Sequence, residues 1–300
     1  MTSVLAELPL LGRGGEPVDL RRTLHSHGVA TLPPQTVDEE SWTLETTLRL
    51  ARGGAHTVTI AERAGEAVLS ANAARVGKRD AEELARTVAH LLRLDEDLSP
   101  FYEVARADPE LAWAADGAGR MLRSPSVFED VVKTVCTTNT AWGGTVRMVT
   151  ALVAHLGEEA PGRKRAFPTA EAMAGADESF FRDVARAGYR AAYLRSLAAG
   201  VADGSIDLEA LTDPELPDEE VEARLLALPG VGPYAAAHVM MTGLGRYSRL
   251  IFDSWTRPTY ARLAGARRPP ADRTIERRFR PYGPYAGLAF WLYLTRGWVE

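Results

Sequence analysis

A single cysteine, Cys136, stands in 300 residues, so the chain can form no internal disulfide and no cysteine-ligated zinc or iron–sulfur site. Positive charge is also in short supply. Thirty-five Lys and Arg against 40 Asp and Glu give a formal net charge of -5, which counts mildly against a nucleic-acid partner, because phosphate affinity rests on cations at the contact face. Long apolar runs are missing: the longest near the C-terminus, 286–294, is too short to span a bilayer, so no membrane association is expected. Met1 to Glu7 lacks the basic-then-apolar order of a signal peptide. There is no internal repeat and no low-complexity tract.

What is present suffices for a core. Hydrophobic residues make up 46%, with six Trp, nine Tyr and eight Phe, in a length that suits one large or two to three small domains. In the first hundred residues, Thr43 to Leu50, His56 to Ile60 and Ala67 to Leu69 favour strands. They are separated by Gly53-Gly54 and Ala64-Gly65-Glu66, the pattern of an antiparallel meander. Leu84, Val88, Leu91 and Leu92 then recur at helical spacing. From Ser99 helix signals dominate. Ser99-Pro100 predicts a cap followed by a first-turn proline, and Ser126-Val127-Phe128-Glu129 matches a capping box. Val127, Val131, Val132 and Val135 give that helix a buried face; a further helix carries Val146, Val149, Leu152, Val153 and Leu156 and stops at Gly157. The expected fold class is α+β, predominantly α: an N-terminal antiparallel sheet domain with a helix over 1–98, then an all-helical region over 99–300. His25 and His27 lie two apart with no further ligand nearby and read as ordinary histidines.

The most informative stretch is 225–238, where Leu228-Pro229-Gly230-Val231-Gly232 separates two helical segments and Pro233 suits the first turn of the second. Without side chains on Gly230 and Gly232, main-chain N–H groups at that helix start, including that of Ala235, can approach an anion such as a DNA phosphate. Asp253 follows nineteen residues after Tyr234. This hairpin with its spaced acid resembles the helix-hairpin-helix DNA glycosylase superfamily, in its alkylpurine and 8-oxoguanine branches. Further matches lie in Cys136-Thr137-Thr138-Asn139-Thr140-Ala141-Trp142, Phe167-Pro168 and Gly188-Tyr189-Arg190-Ala191-Ala192-Tyr193, so that the resemblance covers nearly the whole chain. The first hundred residues are similar to the N-terminal sheet domain of those enzymes.

The resemblance implies an enzyme that extrudes a damaged base from double-stranded DNA and cleaves its N-glycosidic bond. Asp253 matches the catalytic acid: a carboxylate fixed beside the sugar stabilises an oxocarbenium-like state and orients water. Helix N-capping is the competing use of an Asp at such a boundary, although Pro258 places the helix start nearer Thr256. Tyr234 stands where strand-cleaving members carry a Schiff-base Lys, which implies a monofunctional glycosylase. Asn139 matches the residue that fills the gap left by the extruded base, with a helix C-cap as the alternative. Tyr189 matches a position pressing on the opposite base, or else packs between helices. Trp291, with Tyr234, matches the pocket in which a cationic alkylated purine stacks; an aromatic core stripe is the plainer reading of Tyr282, Tyr285, Phe290, Trp291 and Trp298.

The family pattern also implies main-chain carbonyls of Leu226, Leu228 and Val231 as ligands of a structural monovalent cation. No other cofactor is required, and no iron–sulfur cluster. A cytoplasmic location, nucleoid-associated if bacterial, and a monomer are expected. His238 is given no role. Arg262, Arg267, Arg268, Arg273, Arg277, Arg278 and Arg280 form a basic patch after the hairpin. Two other functions stay open: an 8-oxoguanine-type glycosylase, suggested by the 136–139 segment, and a non-catalytic DNA-binding module, for which Asp253 would repel phosphates without serving a purpose.

Overall fold

The structure, a computed structural model, describes residues 3–71 and 76–299; Met1 and Thr2, in the stretch read for a signal peptide, lie outside them. Strands β1 (Ser3–Pro9), β2 (Thr36–Asp38), β3 (Thr43–Leu50), β4 (Gly54–Arg63) and β5 (Glu66–Ala71) form one antiparallel sheet in the order β1-β5-β4-β3-β2. Helices α1 (Leu20–Leu24), α2 (Lys78–Leu91), α3 (Ser99–Arg106), α4 (Val127–Thr137), α5 (Trp142–Leu156) and α6 (Ala170–Ala174) precede the hairpin region. Then come α7 (Arg190–Ala202), α8 (Asp218–Leu226), α9 (Pro233–Thr242), α10 (Thr256–Leu263), α11 (Asp272–Phe279) and α12 (Ala286–Thr295).

The meander forms where the alternating runs place it. Leu44 pairs with Ile60 and Ile60 with Leu69, so one apolar row crosses three strands and buries against Leu84, Val88 and Leu91 of α2. The edge strands β1 and β2 were not foreseen. β1 carries a register shift between Val4 and Ala6, and β2 has only three residues, so neither shows a clean period of two. Ser126 caps α4 as its sequence predicts, its Oγ accepting from Glu129 N at 3.3 Å. Ser99 does not cap α3. It is the helix's first residue, and Asp97 Oδ1 accepts its N–H at 2.9 Å.

Two further cores divide the helices. One gathers α4, α5, α7 and α8; the other gathers α3, α10, α11 and α12. α9 belongs to both, with Ala236, Val239 and Met240 in the first and Ala237 and Met241 in the second. That double duty is why its sequence is apolar on all sides instead of showing one stripe. Arg93, fully buried after α2, donates to Met121 O at 2.6 Å and to the carbonyls of Met241 and Thr242. The shared helix is thereby tied to the sheet side of the molecule, and its other end opens the site. Among the described residues no helix is long and apolar enough to cross a membrane.

Candidate functional site

The 225–238 hairpin forms as its glycines and proline require. α8 ends at Leu226, Val231 N donates to Leu228 O at 3.2 Å, and α9 opens on Pro233. Gly230 has φ 78, and a Cβ there would come within 2.8 Å of Tyr193, so conformation and space both demand glycine. Gly232 is the N-cap at φ -108, and a Cβ on it would meet nothing within 4 Å. Among the described residues, the N–H groups of Gly232, Tyr234 and Ala235 have no main-chain acceptor. Three donors are therefore left free at the positive end of the α9 dipole, an arrangement that suits an anion.

Beside this turn lies a cleft of about 1030 Å³. Its lining includes Thr137 to Trp142, from the end of α4 to the start of α5, and Ile251 to Trp255 with Trp291 and Trp298. Gly232, the N-cap of α9, and Tyr234, Ala235 and His238 of that helix also line it. The cleft thus follows the seam between the two helical cores.

Asp253 is half-buried at this seam. Its Oδ1 accepts from the backbone N–H of Trp255 (2.8 Å) and Thr256 (2.6 Å), while its own N–H donates to Thr256 Oγ1 at 2.9 Å. These reciprocal hydrogen bonds close the turn before α10, whose N-cap position is Trp255 and whose first residue, Thr256, gives its N–H to Asp253, as Pro258 requires. Oδ2 makes no hydrogen bond among the described residues. Capping and a cleft-lining carboxylate, set against each other in the sequence, thus coexist in one side chain: one oxygen orients the group and leaves the second unengaged.

Tyr234 lies partly buried one turn before His238, its hydroxyl 3.2 Å from Thr137 Oγ1. Burial pushes that hydroxyl up, the Thr137 contact draws it down, and the charge of Asp253 adds to the rise. His238 is buried and lines the cleft, with Nδ1 3.4 Å from Thr134 Oγ1 and 3.3 Å from Thr242 Oγ1. Burial lowers its imidazole to about 4 against the opposing charge of Asp253, so it is neutral at pH 7. Its ring meets that of His27 edge-on at 5.7 Å, and burial with the neighbouring His238 takes His27 down to about 3. Both histidines bind fewer protons folded than unfolded. Stability conferred by the neutral rings is present above pH 6.5 and is lost as pH falls through the 6.5 to 3 window, by at most roughly 1.4 kcal/mol per pH unit per proton. Asp130, raised to about 6 by burial, opposes this trend. The urea midpoint is expected to fall between pH 7 and pH 5, and His238→Gln to flatten the fall; an identical slope in both proteins would contradict this assignment.

Trp291 is buried, donates from Nε1 to Ser26 O at 2.8 Å, and packs against Trp255 (5.6 Å) and Trp298 (5.9 Å), which are 5.5 Å apart. The three indoles make one aromatic wall. Phe290, its neighbour in sequence, turns instead to Phe252, Tyr260 and Phe279, and Tyr285 to Phe101 and Tyr247.

Asn139 lines the cleft mouth, exposed, in the left-handed region at φ 44 just past the α4 C-cap Thr138, a conformation Asn tolerates well. Its carbonyl accepts from Arg190 Nη2 at 3.0 Å, and buried Arg190 also holds the Thr138 carbonyl. The same guanidinium lies 4.6 Å from the Tyr189 ring centroid. Tyr189 is 54% exposed, which overturns the reading of a Tyr buried in helix packing; it does not line the cleft. Leu226 and Leu228 flank the turn. In the basic patch, Arg262, Arg267, Arg268, Arg273, Arg277 and Arg280 are exposed, whereas Arg278 pairs with Glu110 and lies 4.3 Å from the Tyr293 ring.

The sequence assigns no role to His238, Trp142 or Trp255, all of which line the cleft, and places Trp298 only in an aromatic cluster. Trp255 carried a signal, lying two residues past Asp253; His238 carried one in its helical spacing from Tyr234.

No protein-family model matches the chain. It is 30% identical over 254 residues to N-glycosylase/DNA lyase OGG1 of Arabidopsis thaliana, covering 79% of this chain and 68% of that protein. It is 28% identical over 165 residues to DNA-3-methyladenine glycosylase of Bacillus subtilis, covering 53% of this chain and 54% of that protein. The 3-methyladenine DNA-glycosylase of Archaeoglobus fulgidus shares the fold, with a TM-score of 0.72 at 22% identity over 98% of this chain and 99% of that one.

Proposed function

The chain belongs to the helix-hairpin-helix DNA glycosylase superfamily, and from that premise we propose that it is a monofunctional glycosylase releasing an alkylated purine from duplex DNA. The observation that carries the proposal is the pairing of Asp253, with its unengaged Oδ2 at the cleft, and Tyr234, not an amine, on the adjacent helix. In this reaction the base is swung into the cleft, the C1′–N bond breaks, and the electron pair leaves with the base. A cationic alkylated purine departs neutral, so little acid catalysis is needed. The Asp253 carboxylate stabilises the positive sugar and takes the proton from the water that adds to C1′. Asn139 fills the vacated space and Tyr189 contacts the opposite base.

The resemblance to OGG1 and the position of Asn139 favour a second reading, oxidised purine. A panel of duplexes, each with one defined lesion, separates the two. Release of N7-methylguanine or 3-methyladenine without strand cleavage is expected; release of 8-oxoguanine alone overturns the alkylpurine reading.

The hairpin turn is assigned to phosphate. Because a Cβ on Gly232 meets nothing in the protein, Gly232→Ala is expected to fold normally, to weaken binding to damaged and undamaged duplexes alike, and to reduce the salt slope by about 1. Equal salt slopes would remove the turn from the contact. A monovalent cation fits the same turn: Leu226 and Val231 carbonyls accept no main-chain bond among the described residues, and Leu228 O accepts one. Held by these three carbonyls, it would add positive charge facing the strand.

A further inference from the structure

The stretch 257–280 holds eight Arg against Asp272 and Glu276, a net charge of +6, so the remaining 276 residues together carry -11 for the chain to reach -5. Two of the eight are engaged. Arg257 grips Asp272 with two hydrogen bonds of 2.9 and 2.8 Å and donates to Asp253 O at 3.2 Å, which ties the first residues of α10 and α11 to the cleft-lining segment. Arg278 turns to Glu110 and the Tyr293 ring. Arg262, Arg267, Arg268, Arg273, Arg277 and Arg280 are exposed and, among the described residues, form no ion pair. Arg273, Arg277 and Arg280 are spaced i, i+4 and i+7 along α11 and its C-cap, so they share the face turned away from buried Ile275 and Phe279.

This stripe works against the helix that carries it. Like charges one turn apart disfavour a helix, and Arg273 also sets a cation in the first turn, against the macrodipole. Glu276, three residues from Arg273 and four from Arg280, pairs with neither. Solubility asks for no such stripe in a chain already acidic. A row of guanidiniums over about 10 Å, the axial rise of about three base pairs, suits a phosphate backbone. We propose that the exposed face of α10 and α11, led by Arg273, Arg277 and Arg280, is a second DNA-contacting surface that holds phosphates of the intact duplex flanking the lesion, apart from the hairpin turn. The inference rests on the duplex-DNA part of the reading above and on no particular lesion. The attraction of this face offsets the repulsion between DNA and the acidic remainder of the chain, and it turns the Asp253 side of the molecule toward the strand. These side chains touch no reacting atom; they set affinity for damaged and undamaged duplex alike.

The test compares Arg273→Gln/Arg277→Gln/Arg280→Gln with wild type and with Arg52→Gln/Arg79→Gln/Arg86→Gln. The second triple removes the same charge from exposed positions on the β3–β4 turn and α2 that form no ion pair among the described residues. On undamaged duplex the first triple is expected to lose roughly tenfold or more in affinity at about 0.1 M salt and to flatten the salt slope by about 2 to 3, whereas the second stays near wild type. The first triple's thermal midpoint should equal or exceed that of wild type, since the like-charge pairs are gone, which also reports that it folds. Single-turnover base release at saturating protein, on whichever lesion serves as substrate, is expected within about twofold of wild type. Methylphosphonate linkages placed one at a time should weaken wild-type binding at flanking positions to which the first triple is indifferent, while Gly232→Ala stays sensitive there. Equal salt slopes in wild type and the first triple overturn the inference, as does equal loss in both triples, which would reduce the effect to net charge. Loss of saturated release overturns it too, since these arginines would then act at the reaction. A protein that releases no alkylated purine overturns the alkylpurine reading and leaves this binding test standing.

Discussion

Asp253→Asn is expected to lower base release by roughly 10²–10³-fold or more, with affinity for lesion-bearing duplex retained. The amide keeps an oxygen that can accept the N–H groups of Trp255 and Thr256, so the start of α10 survives. What disappears is the negative charge beside the sugar. Loss of an anion near phosphates does not weaken DNA binding, and any change in affinity should be a gain. Asp253→Ala separates the two duties, because it also removes the cap at a cost of about 1 kcal/mol in stability. Thermal unfolding of the three proteins, measured beside single-turnover release, should therefore show Asn near wild type in stability and near Ala in activity. Undiminished release by the Asn variant would reduce Asp253 to a helix cap.

The second large effect is the absence of strand cleavage. A Schiff base needs an amine that attacks C1′ as the base departs and then forms the C1′=N bond as the C1′–O4′ bond breaks and O4′ takes a proton; the Tyr234 hydroxyl cannot do this, and burial together with the charge of Asp253 keeps it protonated. Borohydride added during turnover is expected to trap no protein–DNA adduct, and the product should break only with alkali or heat. Tyr234→Lys places an amine on the same turn of α9, in the same cleft as Asp253, and is expected to yield a trapped adduct. An adduct formed by the wild-type protein would contradict the role given to Tyr234.

The legible parts of this molecule are those where one residue type answers one local need. Gly230 sits at positive φ against Tyr193, Pro233 opens a helix, and Asn139 adopts a left-handed turn. These demands act over a few residues and leave marks in the sequence. The β3–β5 meander was legible for the same reason, because Leu44, Ile60 and Leu69 share one buried face. What was hidden depends on contacts between distant segments. Trp298 reaches Trp255 from beyond the end of α12, a contact that no periodicity records. Arg190 donates to the backbone carbonyls of Thr138 and Asn139 while its guanidinium lies over the Tyr189 ring, a link invisible to any reading of side-chain type. For Asp253 the sequence sets a helix-start role against a catalytic one; the structure shows the first, carried by Oδ1, and leaves Oδ2 without a hydrogen bond among the described residues, so the proposed second role does not compete with it.

The most direct test is a crystal structure of the Asp253→Asn protein with a duplex carrying N7-methylguanine. The methylated base is expected in the cleft lined by Tyr234 and Trp291, with C1′ beside residue 253, Asn139 in the vacated position and a phosphate on the N–H groups of the 230–235 turn. A base still stacked in the duplex, or a sugar turned away from residue 253, would contradict the assignment of this cleft as the site of N-glycosidic cleavage.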